Sequence, residues 1–205
     1  MDFPLLIAAF FTLFVVIDPI GLAPVFVAIT QGVDAKLRFR IAVRSCLTAV
    51  GILTLFGMAG EALLEFVGIS MAAFRISGGI LLFATALDML FERRTQRREE
   101  KSTEIINDPS IFPLAMPLIA GPGSMATIIL LAGQPGLDIS TMIGIYIVMI
   151  LVIAAVFVLF LGAGLMERML GDTGIMVVTR LLGMLLAALS VQFVLDGLRD
   201  LGVFA

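Results

Sequence analysis

The 205-residue chain contains no histidine and a single cysteine. Lacking histidine, it lacks the commonest metal ligand and the side chain best suited to titrate near neutrality. Cys46 alone cannot close an internal disulfide and is expected in or beside an apolar span. Charge is scarce: Asp, Glu, Lys and Arg make up 14% of the residues, against about 25% in an ordinary soluble domain, and 60% are hydrophobic. Six spans of ~20 residues would commit most of the length to lipid and leave little for a separate soluble domain. The start, Met1-Asp2-Phe3-Pro4, has no positive n-region and no small-residue cleavage pattern, so no cleaved signal peptide is expected.

Apolar stretches run at about 5–30, 42–66, 69–91, 111–133, 141–166 and 175–197. The expected fold is therefore an all-α polytopic membrane protein of six transmembrane helices, a single membrane domain over 1–205. The one long polar stretch, 92–110, is its linker. Lys36, Arg38, Arg40 and Arg44 flank the first loop. Arg93, Arg94, Arg97, Arg98 and Lys101 crowd the third, and Arg168 and Arg180 flank the fifth. Only Arg75 and Arg199 fall on the other side. The positive-inside rule makes the first group cytoplasmic and puts both termini outside. The location expected is the plasma membrane, or the inner membrane of a Gram-negative cell. Glu99, Glu100 and Glu104 dilute the basic linker, which reads as a membrane-protein loop and implies no nucleic-acid partner.

Two spans are interrupted near their middles, at matching places in the two halves. The first reads Asp18-Pro19-Ile20-Gly21-Leu22-Ala23-Pro24, the second Ala120-Gly121-Pro122-Gly123-Ser124. In lipid every backbone polar group needs a partner, so such a break survives only inside protein or beside a wet cavity. Sliding the chain by 103 pairs Asp18-Pro19 with Gly121-Pro122; sliding it by 105 pairs Arg75-x-x-Gly78 with Arg180-x-x-Gly183. With a small further gap, Asp88 meets Asp196. The expectation is two inverted three-helix repeats, 1–91 and 111–205, with helices 1 and 4 discontinuous.

Asp18 followed by Pro19 reads as an N-cap with proline at the first helical position. Gly121-Pro122-Gly123-Ser124 starts a second half-helix. Two helix N-termini, each with free N–H groups and about half a positive charge, would then face one central chamber suited to an anionic group. Candidate binding residues are Asp18, Pro19, Gly21, Gly121, Pro122, Gly123, Ser124 and Thr127, with Thr30 a weaker hydroxyl contact. Asp18 either caps its own half-helix, touches substrate or a proton, or does both. Arg75, Gly78, Asp88, Arg180, Gly183 and Asp196 are candidate gating or helix-end positions, and Gln192 caps or pairs with them. Gly51, Gly57, Gly162 and Gly164 are assigned to helix packing, and Pro4, Pro113 and Pro117 to bends or helix starts.

Across nearly its whole length the chain resembles the MarC family of integral membrane proteins, related to the LysE-type exporters. The resemblance rests on Asp18 to Phe26, on Arg75-Ile76-Ser77-Gly78-Gly79 with the following Ile80 to Phe83, on Pro113 to Ser124, and on Gln192 to Gly197. It implies six spans and, for some members, transport of small neutral amino acids such as glycine or alanine. The expected function is a secondary transporter working by alternating access, on a small-molecule substrate in a lipid bilayer. No cofactor is expected, with H⁺ or Na⁺ as possible coupling ions and a homo-oligomer as a possible assembly. A passive channel, or an exporter of another small solute, is the alternative. An enzyme is not expected: there is no histidine to activate Ser124 or Cys46 and no paired-carboxylate site.

Overall fold

A computed structural model describes residues 2–91, 109–134 and 136–203. Most of the 92–110 linker, with Arg93, Arg94, Arg97, Arg98 and Lys101, lies outside them. Among the described residues the chain is helical throughout: α1 Phe3–Ile17, α2 Pro19–Ile29, α3 Ala35–Val67, α4 Met71–Leu90, α5 Ser110–Ile119, α6 Pro122–Ala132, α7 Ile139–Leu161 and α8 Ala163–Asp200. Local chemistry sets the ends. The carboxylates of Asp2 and Asp34 accept from the N–H groups of Leu5 (3.1 Å) and Leu37 (2.7 Å), and the Ser70 hydroxyl accepts from Ala73 (3.2 Å). Gly68, at φ 82°, ends α3, and the Ile69 N–H closes back on the Leu64 carbonyl at 2.8 Å.

Among the described residues five spans are long and apolar enough to cross a bilayer: Phe3–Ile29, α3, α4, α7 and Thr173–Asp200. The α5–α6 pair, bent by 57°, is the sixth if it is counted as one span. Phe66, Ile80, Leu55 and Leu151 are largely exposed on the helix exteriors. That exposure carries a hydrophobic penalty in water and none against lipid tails, so association must come from packing and close backbone approach. The order repeats: an interrupted pair, then two long helices, twice.

Contacts along α4 and α8 carry the same relation. Gly79 and Gly183 are 104 positions apart, between the two slides found in the sequence. A Cβ on Gly79 would lie 2.8 Å from the Ser190 carbonyl oxygen, and one on Gly183 would lie 3.3 Å from that of Ala86. Ala86 and Ser190 are again 104 apart. Reciprocal contacts of this kind are what a two-fold relation between halves produces. Gly197 extends the seam, its Cβ position being 3.0 Å from the Ala72 carbonyl oxygen.

The main core joins α1, α2, α3, α5, α6 and α7. Phe26 of α2 stacks on Phe160 of α7, with centroids 4.2 Å apart and planes 3° from parallel. The α4–α8 pair closes against Val15 and Val16 of α1. The N–H of Asp2 donates to the Thr141 hydroxyl (3.1 Å), and Arg75 pairs with Asp200 (2.6 Å). The first contact joins the starts of α1 and α7, and the second joins the start of α4 to the end of α8.

Two expectations need correction. The fifth span was read as 141–166, but α7 ends at Leu161 and Gly162, and the apolar residues beyond open α8. Within α8, Gly171 takes φ 60°, ψ 173° and separates that lead-in from the span starting at Thr173. Of the packing glycines only Gly57 meets a neighbouring helix, its Cβ position lying 2.9 Å from the Tyr146 hydroxyl. Gly51 and Gly164 face open space, and Gly162 meets only its own helix. Composition cannot tell a glycine facing lipid from one at a crossing.

Candidate functional site

At the first break Asp18 sits in the left-handed region, φ 56° and ψ 65°, unusual for any residue but glycine and tolerated best by Asp and Asn. Its N–H still donates to the Phe14 carbonyl (2.9 Å), and its own carbonyl accepts from Leu22 (3.0 Å). Pro19 has no N–H to offer the Val15 carbonyl. The Asp18 Oδ1 accepts from the Gly21 N–H at 3.0 Å, so the carboxylate closes the N-terminus of α2. Gly21 has to be glycine: a Cβ there would collide with the Asp18 carboxylate. Asp18 has no accessible surface, and Pro19 and Gly21 are buried. The capping role read from the sequence is therefore present.

The second break is built differently. Phe112 and Met116, each preceding a proline, leave helical geometry for extended backbone and disorganise α5. Gly121 is extended at φ −84°, ψ 172°, Pro122 opens α6, and no side chain caps the helix. A Cβ on Gly121 would lie 2.5 Å from the Pro117 carbonyl oxygen, so glycine is required by space here. Pro122 is exposed and Gly121 and Gly123 are half-buried. The Met125 N–H donates to the Gly121 carbonyl (2.9 Å), which leaves the first N–H groups of α6 aimed out of the helix.

The two breaks are neighbours. A Cβ on Gly123 would lie 3.3 Å from Val16 of α1, two residues before Asp18, and 3.2 Å from Leu82 of α4. They do not form the symmetric pair of open N-termini expected. One is sealed by its own carboxylate inside protein, and the other is uncapped and partly accessible. The candidate hydroxyls are held by their own backbone. Ser124 donates to the carbonyls of Ile119 (2.7 Å) and Gly121 (3.0 Å), Thr127 to Gly123 (2.8 Å) and Thr30 to Phe26 (2.7 Å). In an apolar medium these protons go to the nearest backbone acceptor, so they hold the break and only lone pairs remain for a ligand.

Of the helix-end candidates, Gly78 packs against α6, its Cβ position 3.3 Å from Leu130 and 3.6 Å from Ala126. Asp196 accepts from Gln192 (2.7 Å) and Arg199 (3.5 Å). Arg75, its side chain 15% exposed, pairs with Asp200. Asp88 is half-buried near the end of α4, Gly183 lies in the α4–α8 seam, and Arg180 is exposed on α8.

Two arrangements escaped the sequence reading. The hydroxyls of Ser140 and Thr141 both donate to Asp138, the residue before α7, and hold its carboxyl well below the usual carboxylate range. Asp138 followed by Ile139-Ser140-Thr141 is a helix-start pattern that could have revealed it. On the opposite face the Arg38 guanidinium lies 5.3 Å from the Phe26 ring centroid. Among the described residues no group of three or more Cys, Asp or Glu converges as a metal site.

Interrupted apolar spans, lipid-compatible exteriors and a buried carboxylate at a helix break define a polytopic helical membrane protein. The chain belongs to the MarC family of integral membrane proteins, whose family model matches residues 3–201. It is 35% identical to a UPF0056 membrane protein of Methanocaldococcus jannaschii, over 97% of this chain and 98% of that one. It is 34% identical to the UPF0056 membrane protein YhcE of Escherichia coli, over 99% and 95%. It is also 34% identical to the UPF0056 inner membrane protein YhgN of the same organism, over 95% and 96%. No solved structure matches.

Proposed function

We propose that the protein is a secondary transporter of small neutral amino acids, moving them by alternating access between its two three-helix repeats. The observation that carries this reading is the asymmetry of the breaks. The α2 N-terminus already holds a carboxylate, that of Asp18, on the Gly21 N–H. The α6 N-terminus, beside it, has no side-chain cap and is partly accessible at Gly121 to Gly123. A substrate carboxylate placed on the N–H groups of Gly123 and Ser124 would complete the second break as Asp18 completes the first. The substrate ammonium would then face Asp18, directly or through water. A buried charge in a span costs a few kcal/mol and is retained for use.

On this reading the basic loops are cytoplasmic and both termini lie outside the cell membrane. Asp18 is the group through which H⁺ or Na⁺ would couple, and no other cofactor is needed. Flux of labelled glycine or alanine into proteoliposomes tests the proposal. Saturable uptake with counterflow, lost in Asp18→Asn, supports it. Uptake unchanged in Asp18→Asn removes the residue from the mechanism, and conductance without counterflow replaces the carrier with a pore.

A further inference from the structure

On the lipid side of the α4–α8 seam lies an open groove of ≈ 250 Å³ with a wholly apolar surface. Its floor is Gly79 and Ser190, its banks Ile80 and Phe83 of α4 and Val191, Val194 and Leu195 of α8. The groove exists because Gly79 has no side chain and Ser190 turns its hydroxyl back onto the Ala187 carbonyl at 2.6 Å. Neither residue fills the space that the close crossing opens beside it.

The groove has a polar end. One turn beyond Leu195, Arg199 is 65% exposed, and its recorded ion pair is a long 3.5 Å contact with Asp196. At 1.5 Å per residue, Ser190 lies ~14 Å below Arg199 along α8. That is about half of the ~30 Å hydrocarbon layer, the depth of one leaflet. An apolar groove lying about one leaflet's depth from an exposed guanidinium farther along the same helix matches one molecule class that the surroundings supply. We propose that this groove binds a membrane phospholipid, with one acyl chain against Gly79 and the phosphate at Arg199. Such a lipid fills the seam between the repeats from outside, where relative movement of α4 and α8 would be felt.

The chain has no tryptophan, so a single introduced Trp is an unambiguous reporter. Phe83→Trp places it on the groove bank. Leu151→Trp places it on the open face of α7, where Leu151 is 54% exposed and equally far from its helix start. Each variant is reconstituted in phosphatidylcholine vesicles with rising fractions of brominated phosphatidylglycerol. The groove reporter is expected to reach half-quenching at no more than about half the mole fraction that the α7 reporter needs, and Arg199→Gln is expected to restore parity. Ile80→Trp repeats the measurement on the other part of the same bank. Equal quenching of groove and α7 reporters overturns the site. A groove preference that survives Arg199→Gln overturns the placement of the phosphate. Neither result bears on amino-acid flux, so failure here is distinct from failure of the transport reading.

Discussion

Position 18 separates the structural use of a carboxylate from its use as a charge. Asn keeps both features that the break demands: a side-chain oxygen to accept from Gly21 and tolerance of the left-handed region. Ala keeps neither. Losing the cap costs about 1 kcal/mol, and holding an alanine at φ 56° adds roughly 1–2 kcal/mol. Leaving the buried Gly21 N–H without an acceptor adds about 1–3 kcal/mol, partly the same loss counted from the donor's side. Asp18→Ala should therefore be destabilised by roughly 2–4 kcal/mol and Asp18→Asn by less than about 1 kcal/mol. Unfolding of purified protein in a mild detergent, followed by the fluorescence of a thiol-reactive dye on buried Cys46, gives the ranking. If Asp18→Ala is as stable as Asp18→Asn, the carboxylate does not hold the break. Flux is measured on the same samples, and on the transport reading Asp18→Asn is folded and inactive.

The seam predicts a contrast between glycines: Gly79→Val drives a side chain into the Ser190 carbonyl and should cost several times the ~1–3 kcal/mol of ordinary overpacking, or prevent folding. Gly51→Ala, in open space within α3, should be neutral or stabilise by about 0.5–1 kcal/mol in the same unfolding assay. For Arg75 and Asp200, whose side chains are 15% and 45% exposed, a double-mutant cycle should return a coupling of about 1 kcal/mol or less that shrinks with salt. Asp138, with its pKa depressed by the Ser140 and Thr141 hydroxyls, contributes stability that is full above the ordinary carboxylate pKa of about 4 and is lost as pH falls below it. The fall in Tm on acidification from pH 5 to pH 2.5 should therefore be smaller in Asp138→Asn than in the wild type.

What could be read in advance follows from what local chemistry controls. The six apolar segments were legible because lipid demands long uninterrupted hydrophobicity, and both breaks because proline and glycine have no substitute there. Asp18-Pro19 gave the cap correctly, since the side chain that satisfies Gly21 is three residues away. The closing of that break against solvent was not legible, because burial of Asp18 depends on tertiary packing around α1 and α2 and not on neighbours in sequence. The backbone bonds of the Ser124, Thr127 and Thr30 hydroxyls were not legible for the same kind of reason. A Ser or Thr looks the same in sequence whether it faces a ligand or bonds its own backbone. Arg75 was marked as a helix-end residue, but its partner Asp200 needed the antiparallel register of α4 and α8.

The asymmetry of the breaks has a consequence for the shape of the proposed substrate. Val16 touches the first turn of α6, and Asp18 follows two residues later on the same strand of backbone. If the proposed substrate carboxylate sits on the α6 N–H groups and its ammonium faces Asp18, an α-amino acid, with both charges on a single carbon, suits that placement better than a longer ω-amino acid. Gly123 itself packs closely at this contact, a Cβ there lying 3.3 Å from Val16 and 3.2 Å from Leu82, both buried. On the transport proposal, excess glycine or alanine should therefore compete for labelled flux and a longer ω-amino acid should not; equal competition by both would refute the placement of the two charges at the two breaks.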